Sequence, residues 1–159
     1  MKKTNHNFNK LNSNYLNSIE KDINFYLLQN DSLILYFKDI NFKKYSIINV
    51  YLKNIKTREL LKCISKVEDN RILIDLSNLK YLCTDYEYSI IVILETFDSY
   101  NIVYPKFNNN QDKEKSIISH SNTDNIQWYL RILENGKLRL STIYLFSNIS
   151  NNFKNEISL

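Results

Sequence analysis

A chain of 159 residues suits one domain that buries roughly 70% of the surface its unfolded form would expose, so it needs no disulfide or metal staple. Hydrophobic residues at 43% exclude a disordered chain, and a net charge of +4 carried by interspersed Lys and Asp/Glu lacks the clustered stripe of a dedicated nucleic-acid binder. One Gly and no Ala, against abundant Asn, Lys, Ile and Tyr, point to an AT-rich bacterial genome, and a single glycine excludes the Gly-rich phosphate loops of nucleotide sites.

Residues 1–14 are rich in Asn and Lys without periodicity and are expected to form a disordered tail. Lys2 and Lys3 are followed by polar Thr4–Asn14, so no signal peptide is expected. Between Asn14 and Leu27, the apolar residues Leu16, Ile19, Ile23, Tyr26 and Leu27 recur at helical spacing, with Ser13 or Asn14 available as a cap. Ile23, Phe25 and Tyr26 equally favour a strand over Ile23–Leu28. A short N-terminal helix and a first strand are both open at this point.

From Ser32 onward the pattern is that of strands. Eight are predicted: Ser32–Phe37, Ser46–Lys53, Glu59–Ser65, Arg71–Leu76, Tyr86–Thr96, Tyr100–Pro105, Gln127–Leu133 and Lys137–Leu145. Within Ser46–Lys53, Ile48, Val50 and Leu52 share one side, the period-two signature of a half-buried strand. Gaps between strands are too short for helical crossovers. The expectation is an all-β, antiparallel, immunoglobulin-like sandwich of seven or eight strands over residues 15–146. Residues 107–125 interrupt the rhythm and are expected to form a long, disordered loop, and residues 147–159 a frayed tail.

The hairpin around Gly136, the single glycine, is the most informative segment. A two-residue Asn-Gly loop would mix charged and apolar groups on both faces. A three-residue loop, Glu134-Asn135-Gly136, pairs Ile132 with Leu138, Leu130 with Leu140 and Trp128 with Thr142, gathering one apolar face and giving Gly136 the left-handed position. Trp128 then faces the core. The opposite face collects Tyr129, Arg131, Lys137 and Arg139, with Arg131 directly across from Arg139. Like charges so placed repel, and guanidinium forks suit phosphate or carboxylate. These four residues are the candidate anion-binding site, read against the plainer alternative of long side chains splayed into water.

Catalytic signatures are absent from the sequence. His6 falls in the predicted tail and His120 in the long loop, and no His, Cys and carboxylate spacing matches a metal site, so neither cofactor nor metal is expected. Cys63 lies on the side of Leu61 and reads as a small buried hydrophobe, and two lone thiols fit a reduced, cytoplasmic setting. Asp75, Asp85, Glu87 and Glu95 read as solvated residues near strand ends rather than a glycosidase pair. The longest apolar runs, Leu33–Phe37 and Ile90–Leu94, fall far short of the roughly 20 residues of a membrane span.

Two stretches, Val50-Tyr51-Leu52-Lys53-Asn54-Ile55-Lys56-Thr57-Arg58-Glu59 and Ile72-Leu73-Ile74-Asp75-Leu76-Ser77-Asn78-Leu79, resemble β-sandwich accessory domains attached to Gram-positive glycosyltransferases and glycerophosphotransferases that build cell-wall polymers. Asp85-Tyr86-Glu87-Tyr88 is similar to the aromatic-acidic motif that opens their next strand, and Asn135-Gly136-Lys137-Leu138-Arg139-Leu140-Ser141 to their closing strand. The likeness covers roughly residues 33–145 and departs at Ile55, where those domains carry Arg. No segment resembles their nucleotide-sugar transferase domain. The resemblance implies a non-catalytic binding or assembly module, with an anionic glycan or a transferase protein as partner. The expectation from another class is a protein–protein interaction or oligomerisation domain, pairing through edge strands, for which the apolar Leu33–Phe37 run would be suited.

Overall fold

The computed structural model describes residues 16–108, 113–119 and 125–144. They form eleven strands: β1 (Leu16–Gln29), β2 (Ser32–Phe37), β3 (Ile47–Asn54), β4 (Leu60–Lys62), β5 (Ile64–Glu68), β6 (Arg71–Asp75), β7 (Tyr88–Glu95), β8 (Tyr100–Phe107), β9 (Lys115–Ile118), β10 (Ile126–Ile132) and β11 (Leu138–Tyr144). Two 3-10 turns, Phe42–Lys44 and Ser77–Leu82, are the helical pieces among the described residues, and no helix there is long and apolar enough to cross a membrane. The predicted tails, His6 and His120 lie outside the described residues.

The chain is all-β as expected, but it is not purely antiparallel. The sheet runs β5-β6-β2-β1-β8-β7-β11-β10-β9, with β4 and β3 joined to it through β7. β1 pairs antiparallel with β2 in its second half and parallel with β8 in its first, from Leu16 opposite Tyr100 to Ile23 opposite Phe107. The crossover that a parallel pair requires is supplied by β2 to β7, so short gaps between neighbouring strands did not exclude it.

The helix option for residues 14–27 is replaced by this 14-residue strand. Its apolar spacing has a specific cause. The register shifts between Ile23 and Phe25, so Ile23 and Phe25 face the consecutive residues Phe37 and Tyr36 on β2. Such a bulge adds one residue and reverses which side chains face inward. Ile23 is buried before it, whereas Tyr26 and Leu28 pack on the core after it. The inward spacing of three across the bulge imitates a helical period.

Two further differences raise the strand number above eight. The predicted Glu59–Ser65 strand breaks at Cys63, whose N–H donates to the carbonyl of Val50 while the chain passes from β3's edge to β6's edge. The predicted loop at 107–125 contains β9, which pairs with β10 from Ile132–Lys115 to Tyr129–Ile118. Ser119, buried beside it, donates its N–H to Trp128 and accepts the Trp128 N–H on its hydroxyl. The rest of that loop, 109–112 and 120–124, lies outside the described residues.

The core gathers inward residues of β2 and β6 (Leu33, Leu35, Phe37, Ile72, Ile74) against those of β3, β7, β10 and β11 (Val50, Leu52, Ile90, Val92, Trp128, Leu130, Leu138, Leu140). Burying each such side chain contributes about 1.5–3 kcal/mol. β7 is apolar on both faces: Ile91 and Ile93 pack with Tyr51, Leu60 and Ile102 in a second buried cluster, with Tyr100 and Tyr104 alongside. A strand covered on both sides reads as a continuous apolar run, which accounts for Ile90–Leu94. β2 is interior, flanked by β1 and β6, so Leu33–Phe37 is core and is not an edge available for self-pairing.

Candidate functional site

The β10–β11 hairpin adopts the three-residue loop. Ile132 faces Leu138, Leu130 faces Leu140, Trp128 faces Thr142, and Arg131 faces Arg139. Gly136 has φ +87°, and its N–H donates to Leu133 at 2.8 Å. The hairpin tip is docked onto the end of β8: Phe107 N–H donates to the Gly136 carbonyl at 2.9 Å, and Lys137 bridges Lys106. A Cβ on Gly136 would lie 2.1 Å from the Phe107 carbonyl oxygen, so both conformation and space demand glycine here.

The four residues singled out in the sequence do not line one opening: Lys137 and Arg139 do, Tyr129 and Arg131 do not. Arg131 is clamped by its own chain: Glu114 accepts from Nε at 2.7 Å and from Nη2 at 3.1 Å, and Glu87 accepts from Nη1. These bonds hold the Arg131 guanidinium above its ordinary pKa and the Glu114 carboxyl below its own. Intramolecular carboxylates thus relieve the repulsion that the sequence assigned to an external anion. Glu114 precedes β9 in the segment read as loop, which hid its role. Tyr129 is half-buried between Ile118 and Ser141 and lines no described cavity.

Lys137 and Arg139 instead reach a cavity of about 460 Å³ that also takes Lys53 and Arg58. A fork in the sheet creates it. β7 and β8 pair from Glu95–Tyr100 to Val92–Val103 and then part, β7 reaching β11 at Tyr88–Leu140 and β8 bridging at Lys106 to Lys137, just before β11. Pro105, two residues beyond the last pair of that ladder, has no N–H to donate. Ser89 and Ile90 line one side of the opening, Tyr104 and Pro105 the other, and Ser18 to Glu20 of β1 also contribute.

Lys53 and Arg58 are delivered by the turn after β3. Buried Asn54 accepts the N–H groups of Lys56 and Thr57 on its side-chain oxygen at 2.8 and 2.9 Å, and its carbonyl accepts from Arg58 at 2.9 Å. Arg58 takes φ +68°, a strained position for a residue with a side chain. Neither Lys53 nor Arg58 is singled out by the sequence, because neither the fork nor this turn leaves a local signal.

The electrostatics are one-sided. Four cations line the cavity against one carboxylate, Glu20, which lies 3.8 Å from Lys106. None of the four forms an ion pair with a carboxylate among the described residues. Burial lowers the pKa of Lys53, with Arg58 adding to the effect. Burial likewise lowers that of Arg139, where Glu87 opposes the shift and Arg131 adds to it. Both cations are therefore more costly to keep charged at these positions than in water.

Other reactive groups are structural. Cys63 is buried and its thiol pKa is pushed far up by burial, and that of Cys83 is pushed up to about 12 by the same cause, so both stay protonated near neutrality. Trp128 is buried and donates its indole N–H to Asp31 at 3.1 Å, while Asp31 also takes buried Lys80 at 3.0 Å. Asp75 accepts the N–H and the hydroxyl of Ser77 at the start of the second 3-10 turn, and Asp85 sits in a turn at φ +78°. Among the described residues no cluster of His, Cys, Asp and Glu could hold a metal ion. No family model matches the chain, and no curated protein matches it.

Proposed function

We propose that this chain is a non-catalytic binding module of the immunoglobulin-like sandwich kind, which takes an anionic saccharide into the cationic cavity. The observation that carries the reading is the convergence of Lys53, Arg58, Lys137 and Arg139 on one opening, none of them ion-paired to a carboxylate among the described residues. The cavity volume is in the range of small-molecule sites, and Tyr104, Ile55 and Pro105 offer ring and aliphatic surface for the body of a sugar. A single lining carboxylate argues against glycoside hydrolysis, which uses a pair. The resemblance to accessory domains of wall-polymer transferases supports a role in that chemistry, where the ligand is the polymer or its precursor and a transferase is the partner; the two lone thiols fit a reduced, cytoplasmic setting.

The test is calorimetric titration with anionic and neutral saccharides at low and high salt. Anionic saccharides are expected to bind, more weakly as salt rises, and Lys53→Gln with Arg139→Gln to abolish binding. Equal binding of neutral sugars, or none by any saccharide, overturns the reading.

Self-association through edges is the rival from another class. The open edges argue against it: β4 has three residues, β9 four, and β5 carries Lys66 and Glu68, and short or charged edge strands are poor templates for pairing. Light scattering over a wide concentration range is expected to report a monomer.

A further inference from the structure

We propose that the ligand is held by a phosphate, and specifically that the cavity recognises a phosphomonoester of a small sugar in its dianionic form. This rests on the reading of the cavity as an anion site and narrows it.

Charge comes first. Lys53, Arg58, Lys137 and Arg139 give four positive groups, and the one lining carboxylate, Glu20, is placed near Lys106. A single carboxylate would leave most of that charge uncompensated in a partly closed space, whereas a phosphomonoester brings about −1.5 to −2 near neutrality. The distribution of donors comes second. The cations arrive from two separate elements, Lys53 and Arg58 from β3 and its turn, Lys137 and Arg139 from the β11 side of the hairpin. A carboxylate presents two oxygens in one plane. A phosphomonoester presents three terminal oxygens around a tetrahedral centre, and so accepts from donors that approach from different directions. Size comes third. The cavity of about 460 Å³ suits a phosphosugar, with the ring against Tyr104, Ile55 and Pro105.

The experiment titrates the full chain with glucose 6-phosphate, glucuronate and glucose. The proposal expects glucose 6-phosphate to bind about ten-fold or more tighter than glucuronate, the equivalent of one added charge-assisted hydrogen bond, and glucose not to bind. The affinity for glucose 6-phosphate should also rise with pH across the second phosphate ionisation near pH 6, and that for glucuronate should not. The protein groups facing the ligand are Lys53, Arg58, Lys137 and Arg139, together with Glu20 on β1, Tyr104 and Lys106 on β8, and Glu87 behind Arg139. Glu20→Gln keeps the same pH profile if the titrating group is the phosphate. Lys137→Gln, a substitution at an exposed position, is expected to weaken glucose 6-phosphate binding even where Arg139→Gln disturbs folding. Glucuronate binding as tightly as the phosphosugar overturns the phosphate assignment and leaves the anion site standing. Failure of both anions to bind removes the anion site itself.

Discussion

Gly136 concentrates three demands on one residue: a left-handed φ, a contact 2.1 Å from a backbone oxygen for any added Cβ, and a hydrogen bond that docks the hairpin on β8. Gly136→Ala is expected to destabilise the fold by about 2 kcal/mol or more, read as a lower urea midpoint, and to weaken anion binding because Lys137 and Arg139 follow it. The Asp31 carboxylate serves buried Lys80 and the Trp128 indole at once. Asp31→Ala removes the shared acceptor of both donors and is expected to cost about 3 kcal/mol, whereas Lys80→Met, which removes the buried charge, is expected to cost clearly less in the same unfolding experiment. The sequence placed Trp128 in the core correctly from the hairpin register. It could not reveal Asp31 as the partner, because 97 residues separate the two.

At the scale of elements, strands with alternating or continuous apolar runs were legible and those shaped by irregularity were not. The β10–β11 register followed from keeping one face apolar around a glycine, and the structure reproduces every pair named. β1 was ambiguous because its bulge inserts a three-residue step into a two-residue period. β9 was hidden because four residues with one polar flank leave too little pattern, and its partner β10 also carries Arg131, which holds Glu114 just before it. That clamp yields a pH prediction. The folded Glu114 carboxyl is held below its ordinary pKa by Arg131, so the stability it adds is present above the unfolded carboxylate value and is lost as pH falls through the folded value. Arg131→Gln should therefore differ from the parent most at neutral pH, with the gap closing below about pH 4. Faster amide exchange in β9 should accompany the substitution. A stability gap that widens on acidification would contradict the clamp.

For the whole molecule, burial on alternate residues fixed the class of fold, and Val50, Ile90 and Val92 are buried as that argument requires. The parallel pairing of β1 with β8 was out of reach because it joins segments separated by six intervening strands. The cavity was out of reach for the same reason. It exists where two paired strands part and a third element bridges them, and its cations come from segments that no local spacing connects. Half of the residues first proposed, Lys137 and Arg139, line it nonetheless, since the hairpin face was read correctly; Arg131 was lost to carboxylates that the sequence had placed in turns and loop.

Entry of an anion into the fork between β7 and β8 can be followed residue by residue by amide chemical-shift mapping with glucose 6-phosphate. Saturable shifts are expected, confined to Ser18–Glu20, Lys53–Arg58, Ser89–Ile90, Tyr104–Lys106 and Lys137–Arg139 around the cavity. Shifts centred on Arg131 and Tyr129, or on the outer face that carries Phe25 and Tyr36, would contradict it, as would a spectrum that does not move.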